Sequence, residues 1–200
     1  MKNYIITELT KTRDLFDVIL SDQNLHKNID TISQVCIKSL RQGKKIMFCG
    51  NGGSAADSQH LAAELVSKLS YDRPPLNALS LTVDTSALTA IGNDYGYLHS
   101  FSRQLDALGN AGDVLIGIST SGRSKNVLEA LKKAKEKNIT TVGFLGKDGR
   151  DIGQIVDYQI NIPSDETPKI QEGHIAVGHI ICALIEDDFF GATHNPQNKK

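Results

Sequence analysis

His60 and Glu64 stand four residues apart in the segment CGNGGSAADSQHLAAEL, residues 49–65. On a helix that spacing puts an imidazole and a carboxylate on one face. Such a pair suits proton transfer or metal binding, and a solvated surface pair is the plain alternative. Just before it comes a turn, Gly50-Asn51-Gly52-Gly53-Ser54, whose glycines permit positive φ and close approach of the backbone to a ligand. Ser54 either caps the following helix, with Asp57 completing a capping box, or offers its hydroxyl to a ligand. A second donor-rich turn, Ser119-Thr120-Ser121-Gly122-Arg123-Ser124, precedes KNVLEALKKA. Hydroxyls gathered at a helix N-terminus, with its free N–H groups and dipole, favour an anion. Neither G-x-x-x-x-G-K-[ST] nor G-x-G-x-x-G occurs, so a nucleotide loop is not indicated. Neutral hydroxyls and amides suit one phosphate monoester on a small molecule. Either turn alone is compatible with ordinary loop chemistry; two of them, both after strands, point to phosphate.

The last helical pattern, KIQEGHIAVGHIICALIEDDF, carries Gln171, His174 and His179. Gln171 and His179 are eight residues apart, about 80° around an ideal helix, and share a side. His174 points away and is expected to be a structural or surface histidine. With Val177, Ile180, Ile181, Ala183 and Leu184 around it, His179 is equally compatible with a satisfied core position.

These groups need a scaffold, and the apolar pattern predicts one. Residues 4–20 and about 25–42 have helical spacing, with Ile5, Leu9, Phe16 and Ile19, then Ile29, Ile32, Cys36 and Leu40, and Gly43 as a stop. Thereafter short apolar runs at 45–49, 77–81, 113–119, 140–145 and 158–162 each precede a turn and a helical stretch, the last helix beginning near Lys169. Strand–helix alternation with runs apolar throughout argues for a parallel sheet covered on both faces. The expected fold is therefore a single α/β domain over 1–200. Two N-terminal helices (1–43) pack outside or in an oligomer interface, a three-layer sandwich with a five-stranded parallel sheet spans 44–190, and a tail covers 191–200. Ligands in such sheets bind beyond the carboxyl ends of the strands.

Composition narrows the function. The 200 residues carry a formal net charge of −1 with scattered cations, so no nucleic-acid footprint is expected. Cys36, Cys49 and Cys182 lack metal-binding or disulfide-framework spacing and are expected to be small buried hydrophobes. The charged N-terminus does not read as a signal peptide, and no run approaches the roughly 20 apolar residues of a membrane span. A cytoplasmic protein without membrane partners is expected.

The segments CGNGGSAADSQHLAAEL, AIGNDYGY, GDVLIGISTSGRSKNV and KIQEGHIAVGH, in that order and spacing, resemble the phosphoheptose isomerases of the sugar isomerase (SIS) domain superfamily. The likeness runs over nearly the whole chain, and only Lys169, where arginine is common, departs from it. The resemblance implies conversion of sedoheptulose 7-phosphate to D-glycero-D-manno-heptose 7-phosphate, for lipopolysaccharide core, capsule or glycoprotein heptose. It further implies a homotetramer with active sites near subunit boundaries and one Zn2+ per subunit. Carried onto this chain, phosphate falls to Ser54, Ser119, Thr120, Ser121 and Ser124. Asn51, Gly52, Gly53, Asn93 and Asp94 line the sugar, and His60, Glu64, Gln171 and His179 hold the metal. Glu64 and His179 are the expected acid–base pair, with Glu64 and Gln171 also touching substrate. A carboxylate shared with zinc is a weaker base, so a catalytic and a purely structural metal both stay open. Two other readings remain: an isomerase of another sugar phosphate, and a non-enzymatic SIS protein that binds the replication initiator. Proteins of the latter kind lack the carboxylate at Glu64 and the imidazole at His179.

Overall fold

A run of three strands buried on both faces, Ile46–Gly50 (β1), Val114–Ser119 (β3) and Thr140–Gly146 (β4), forms the centre of the molecule. The computed structural model describes residues 2–196. The remaining elements are α1 (Lys2–Ser21), α2 (Gln23–Arg41), α3 (Gly53–Val66), β2 (Ala78–Ser80), α4 (Thr85–Asp94), a 3-10 turn (Tyr97–His99), α5 (Ser102–Leu108), α6 (Lys125–Glu136), α7 (Arg150–Gly153), β5 (Tyr158–Ile162) and α8 (Thr167–His194). All strand pairs are parallel, in the order β2-β1-β3-β4-β5. This is the expected α/β sandwich. Chain order reverses between β1 and β3, so the turns after those two strands open side by side at the crevice where such folds bind ligands.

The sheet's two faces bury separate cores. On one, Ile32 and Cys36 of α2, Leu61 and Leu65 of α3, and Val177, Ile181 and Ile185 of α8 cover Ile46, Phe48, Ile116 and Phe144. On the other, Phe101, Leu105, Val127, Leu131 and Ile152 cover Met47, Cys49, Leu115 and Leu145. All three cysteines are buried free thiols. Burial pushes Cys36 and Cys49 up to about 12 and raises Cys182 as well, which leaves them as unreactive packing groups.

Several details differ from the sequence-based expectation. The second strand shrinks to three residues. The last helix starts at Thr167, ahead of Lys169, because Pro168 suits a first helical turn. It also runs to His194, so residues 191–194 are helix rather than tail; positions 197–200 lie outside the described residues. The 3-10 turn and α5 were not anticipated, although Phe101 and Leu105 are buried at helical spacing. In α1, Leu15 and Ile19 are buried, whereas Ile5 and Leu9 are exposed, with Tyr4 and Ile6 beside them. The apolar face of that half-helix is left uncovered by its own chain.

His174 is structural. Its ring is buried, and Nε2 donates to the Leu145 carbonyl at the end of β4 (3.0 Å), leaving Nδ1 buried without a partner. Burial, only partly countered by that bond, pushes its pKa down to about 4. The unfolded chain therefore takes up a proton here before the folded one does, and stability present above pH ~6.5 drains away as pH falls toward 4. Urea titrations at pH 7.5 and 4.5 are expected to show this group costing about 3 kcal/mol over that range, and His174→Gln should flatten the slope.

Candidate functional site

The turn after β1 bends through Gly52, at φ 58° and ψ −122°, a conformation that side chains strongly disfavour. Gly52 is also the N-cap of α3, and no side chain caps the helix. Of the two roles open to Ser54, the capping box is not formed: Ser54 is buried inside the first turn, and Asp57 keeps one buried carboxylate oxygen without a partner. Burial raises the Asp57 carboxyl's pKa, with His60 pulling it the other way. Ser54 is thereby a buried hydroxyl at the mouth of the turn.

Two turns along α3, His60 Nε2 lies 3.2 Å from Glu64 Oε1 and 2.7 Å from Nε2 of His179 on α8. The rings meet edge to face, with centroids 4.9 Å apart. Both helices must approach closely for this contact, and Gly178 allows it: a Cβ there would sit 2.6 Å from Leu61. His179 is thus half-buried and paired across helices, not a core histidine, while its neighbours Ile180 and Leu184 are exposed. One donor atom from each of His60, Glu64 and His179 lies within 4.8 Å of the others. Gln171, also on α8, packs its amide against Gly53 at the start of α3. Two imidazoles, a carboxylate and an amide oxygen fit zinc's taste for nitrogen and oxygen donors. The 2.7 Å between imidazole nitrogens is below the roughly 3.3 Å that two nitrogens on one tetrahedral zinc require. His60 is half exposed and has room to turn.

The turn after β3 gathers its hydroxyls as anticipated. Ser119 Oγ is 2.9 Å from Ser124 Oγ and 3.5 Å from Ser121 Oγ, and Ser121 accepts the Arg123 N–H at 3.2 Å. Ser124 is the N-cap of α6 but its hydroxyl makes no cap bond, being turned to Ser119 instead. Beside this basket, Thr120 and Ser121 line a cavity of about 210 Å3 with Arg123, Lys147 and Arg150. Arg123 belongs to the anticipated turn, whereas Lys147 and Arg150 were not anticipated; Arg150 pairs with Asp148 at 2.6 Å and Lys147 with Asp165 at 3.8 Å.

The SIS domain family matches residues 10–146. The phosphoheptose isomerase of Sulfurimonas denitrificans is 51% identical over 191 residues, 96% of this chain and 98% of that one. The chain belongs to the phosphoheptose isomerase family. Solved structures agree. Phosphoheptose isomerase from Neisseria gonorrhoeae superposes with a TM-score of 0.88 at 41% identity, covering 93% of this chain and 98% of that one. The Francisella tularensis enzyme gives 0.89 at 31%, covering 92% and 97%. This chain is accordingly an isomerase.

Other features of this phosphoheptose isomerase fold were not legible beforehand. Asn126, buried at the start of α6, pairs its amide with that of Asn51 through two bonds of 2.8 and 3.0 Å. Tyr97 of the 3-10 turn donates to Asn51 Oδ1 at 2.8 Å. Both lie in segments that carried the resemblance, but nothing in their spacing marked them. Asn93 and Asp94, expected to line the sugar, sit at the exposed end of α4 and bond to each other (2.8 Å). Among the described residues no hydrogen bond joins them to the serine basket or the histidines.

Beneath the site, Arg73 and Glu186 form a buried pair at 2.9 Å. Arg73 also donates to the Glu64 and Leu65 carbonyls at the end of α3, both at 2.7 Å, and Leu65 accepts the Leu76 N–H as well at 3.0 Å. Glu186 of α8 accepts the Leu69 and Ser70 N–H groups at 3.0 and 2.8 Å. Burial would raise its pKa, but those N–H groups and the guanidinium prevail and hold it below the ordinary carboxylate range.

Proposed function

We propose that this isomerase converts sedoheptulose 7-phosphate to D-glycero-D-manno-heptose 7-phosphate, with Glu64 and His179 as the proton-transferring pair. The observation that carries the reading is the meeting of Glu64, His60 and His179 across α3 and α8, one strand over from the serine turn. The phosphate sits in the basket of Ser54, Ser119, Thr120, Ser121 and Ser124, and its binding energy positions the reactive end of the sugar. Asn51, Gly52, Gly53 and Gln171 face the chain between the two ends, with Asn93 and Asp94 closing from α4.

The ketose carries its carbonyl at C2. Glu64 removes a proton from C1, and the C1–H electron pair becomes the C1=C2 bond of an enediol while O2 takes up a proton. Returning the carboxyl's proton to C2, with loss of the O1 proton, leaves an aldehyde at C1. His179 serves the two oxygens once its Nε2 turns from His60, whose own Nε2 lies 2.7 Å from it and 3.2 Å from Glu64 Oε1 and can hold one of the two at a time. Placing base and acid on separate helices lets both face one substrate.

His60, Glu64, Gln171 and His179 would hold zinc, one ion per subunit. A bound zinc supplies Lewis-acid polarisation of the sugar oxygens. Chelation is expected to lower both turnover and melting temperature, and a fully active, equally stable chelated protein would remove the metal from the scheme. Incubation with sedoheptulose 7-phosphate tests the reading as a whole: no aldose phosphate, with or without added zinc, would overturn it. Turnover across five-, six- and seven-carbon ketose phosphates tests the chain length.

The assembly we infer is a homotetramer. The uncovered residues Tyr4, Ile5, Ile6 and Leu9 of α1, with Ile180 and Leu184 of α8, form the kind of apolar surface that association buries. No described helix is long and apolar enough to cross a membrane, and a sugar phosphate made in the cytoplasm for lipopolysaccharide core or capsule is the matching role.

A further inference from the structure

We propose that Lys169 is a positioning residue, which locks the first turn of α8 to α1 and thereby holds the Gln171 amide in the site. This inference rests on the reading of Gln171 as a metal ligand. α8 begins without a side-chain cap. Its N-cap residue, Glu166, turns its carboxylate to Lys11 of α1 instead, at 2.9 Å. The first N–H groups of a helix have no partners within it, so what steadies this turn comes from outside the helix. Lys169 supplies that contact. It is buried, with its ammonium bonded to Thr12 Oγ1 of α1 at 2.8 Å and to Glu172 Oε1 at 2.9 Å, and it lies 3.7 Å from Glu8 Oε2.

The Thr12 hydroxyl accepts from the lysine and has one proton to give. Glu172 Oε2 takes it at 2.8 Å, the Glu8 carbonyl at 3.1 Å being the longer alternative. Ammonium, hydroxyl and carboxylate thus close a ring of three hydrogen bonds across the two helices. A buried ammonium is costly without its acceptors, so the ring resists opening. Lys169 and Gln171 are two positions apart, about 200° around an ideal helix, and leave α8 on opposite sides. One side faces α1. On the other, the Gln171 amide packs so closely on Gly53 that a Cβ there would lie 2.4 Å from Nε2. The start of α8 is therefore held between α1 and the glycine turn, and a shift of the turn on the lysine side moves the amide on the other. Metal ligands work only when held to within about 0.5 Å.

Zinc titration of the metal-free full chain, in competition with a chromophoric chelator, tests the inference alongside amide hydrogen exchange. Lys169→Met, which nearly keeps the side chain's length but removes the ammonium, is expected to weaken zinc about ten-fold, the lower end of what losing a ligand's support costs. Exchange at Gln171 and Glu172 should quicken, while α6 keeps the parent rate. Lys169→Arg, with its charge retained, should return zinc affinity to within about three-fold of the parent, a rescue that general loss of fold would not reproduce. Lys11→Ala, which removes only exposed pairs, should change it by less than about two-fold. Parent-like zinc affinity in Lys169→Met, no rescue by Lys169→Arg, or an equal loss in Lys11→Ala would overturn the proposal. A parent protein that binds no zinc would sink the metal set by itself. Amide exchange then judges the clamp alone, and an unaltered rate at Gln171 in Lys169→Met would count against it.

Discussion

Glu64→Gln is expected to lower kcat by about 10²- to 10⁴-fold, the usual contribution of a positioned general base. Its effect on KM should be within a few fold, because phosphate and hydroxyl contacts lie elsewhere. The amide keeps the size of the carboxylate, and its oxygen can still accept from His60, now 3.2 Å from Oε1. What is lost is the capacity to take a proton from C1, together with the carboxylate charge that Glu64 would offer to zinc. The check is steady-state kinetics with sedoheptulose 7-phosphate, supported by exchange of the C1 proton with deuterated solvent. Equal losses in kcat and kcat/KM would mean that the lost interaction belongs to the transition state. A variant within about ten-fold of the parent enzyme would transfer the base to another group. Asp57 is the first to test, since its buried oxygen has no partner and it stands one turn before His60.

Arg73→Ala is expected to be the most damaging single change to stability. It removes the guanidinium from a pair whose side chains are 0% and 1% exposed, and so leaves the Glu186 charge buried with only its N–H donors. Breaking a buried pair from one side costs about 3–5 kcal/mol, a fall in melting temperature on the order of 10 °C for a chain of this size. The Glu64 carbonyl loses its guanidinium donor in the same step, while Leu65 keeps the Leu76 N–H. Activity should fall more than the folded fraction does, because Arg73 fixes the backbone that carries the base. Glu186 adds a sign. Its pKa is lowered in the folded state, so its contribution is present above the unfolded carboxylate value and is lost as pH falls through the folded one. Together with His174 this predicts acid lability, and differential scanning calorimetry from pH 7.5 down to 4 will show whether the parent protein loses more than Arg73→Ala. A melting temperature for Arg73→Ala within about 2 °C of the parent would show that the pair is replaceable.

Much of the scaffold was legible in local patterns. Ile46, Met47, Phe48 and Cys49 are consecutive apolar residues, and Leu115, Ile116 and Ile118 repeat the theme. A strand apolar on both sides has to be covered on both sides, so the parallel, three-layer arrangement followed. The two donor-rich turns were legible as a pair, since one alone is ordinary loop chemistry but two, both after strands, point to an anion. The Glu64/His60 pairing needed only the pitch of a helix. Where elements were short or irregular, the pattern was weak. The 3-10 turn at Tyr97 and the true extent of α8 were set by packing and by Pro168 rather than by periodicity.

What residue order determined by itself, then, is everything written in one helical turn or one strand: which faces are apolar, where hydroxyls cluster, which two side chains share a turn of α3, and which family the motifs resemble. The family resemblance put His60 and His179 at one metal, but the geometry of that meeting, and the other meetings altogether, were decided only by the folded chain. His60 and His179 are separated by 119 positions, Asn51 and Asn126 by 75, Arg73 and Glu186 by 113. No local rule relates residues so far apart. Their encounter depends on the β1/β3 reversal and on the close approach of α3 to α8 at Gly178. Packing selects one partner for each polar group out of many that the sequence allows, because a buried group left without one is costly.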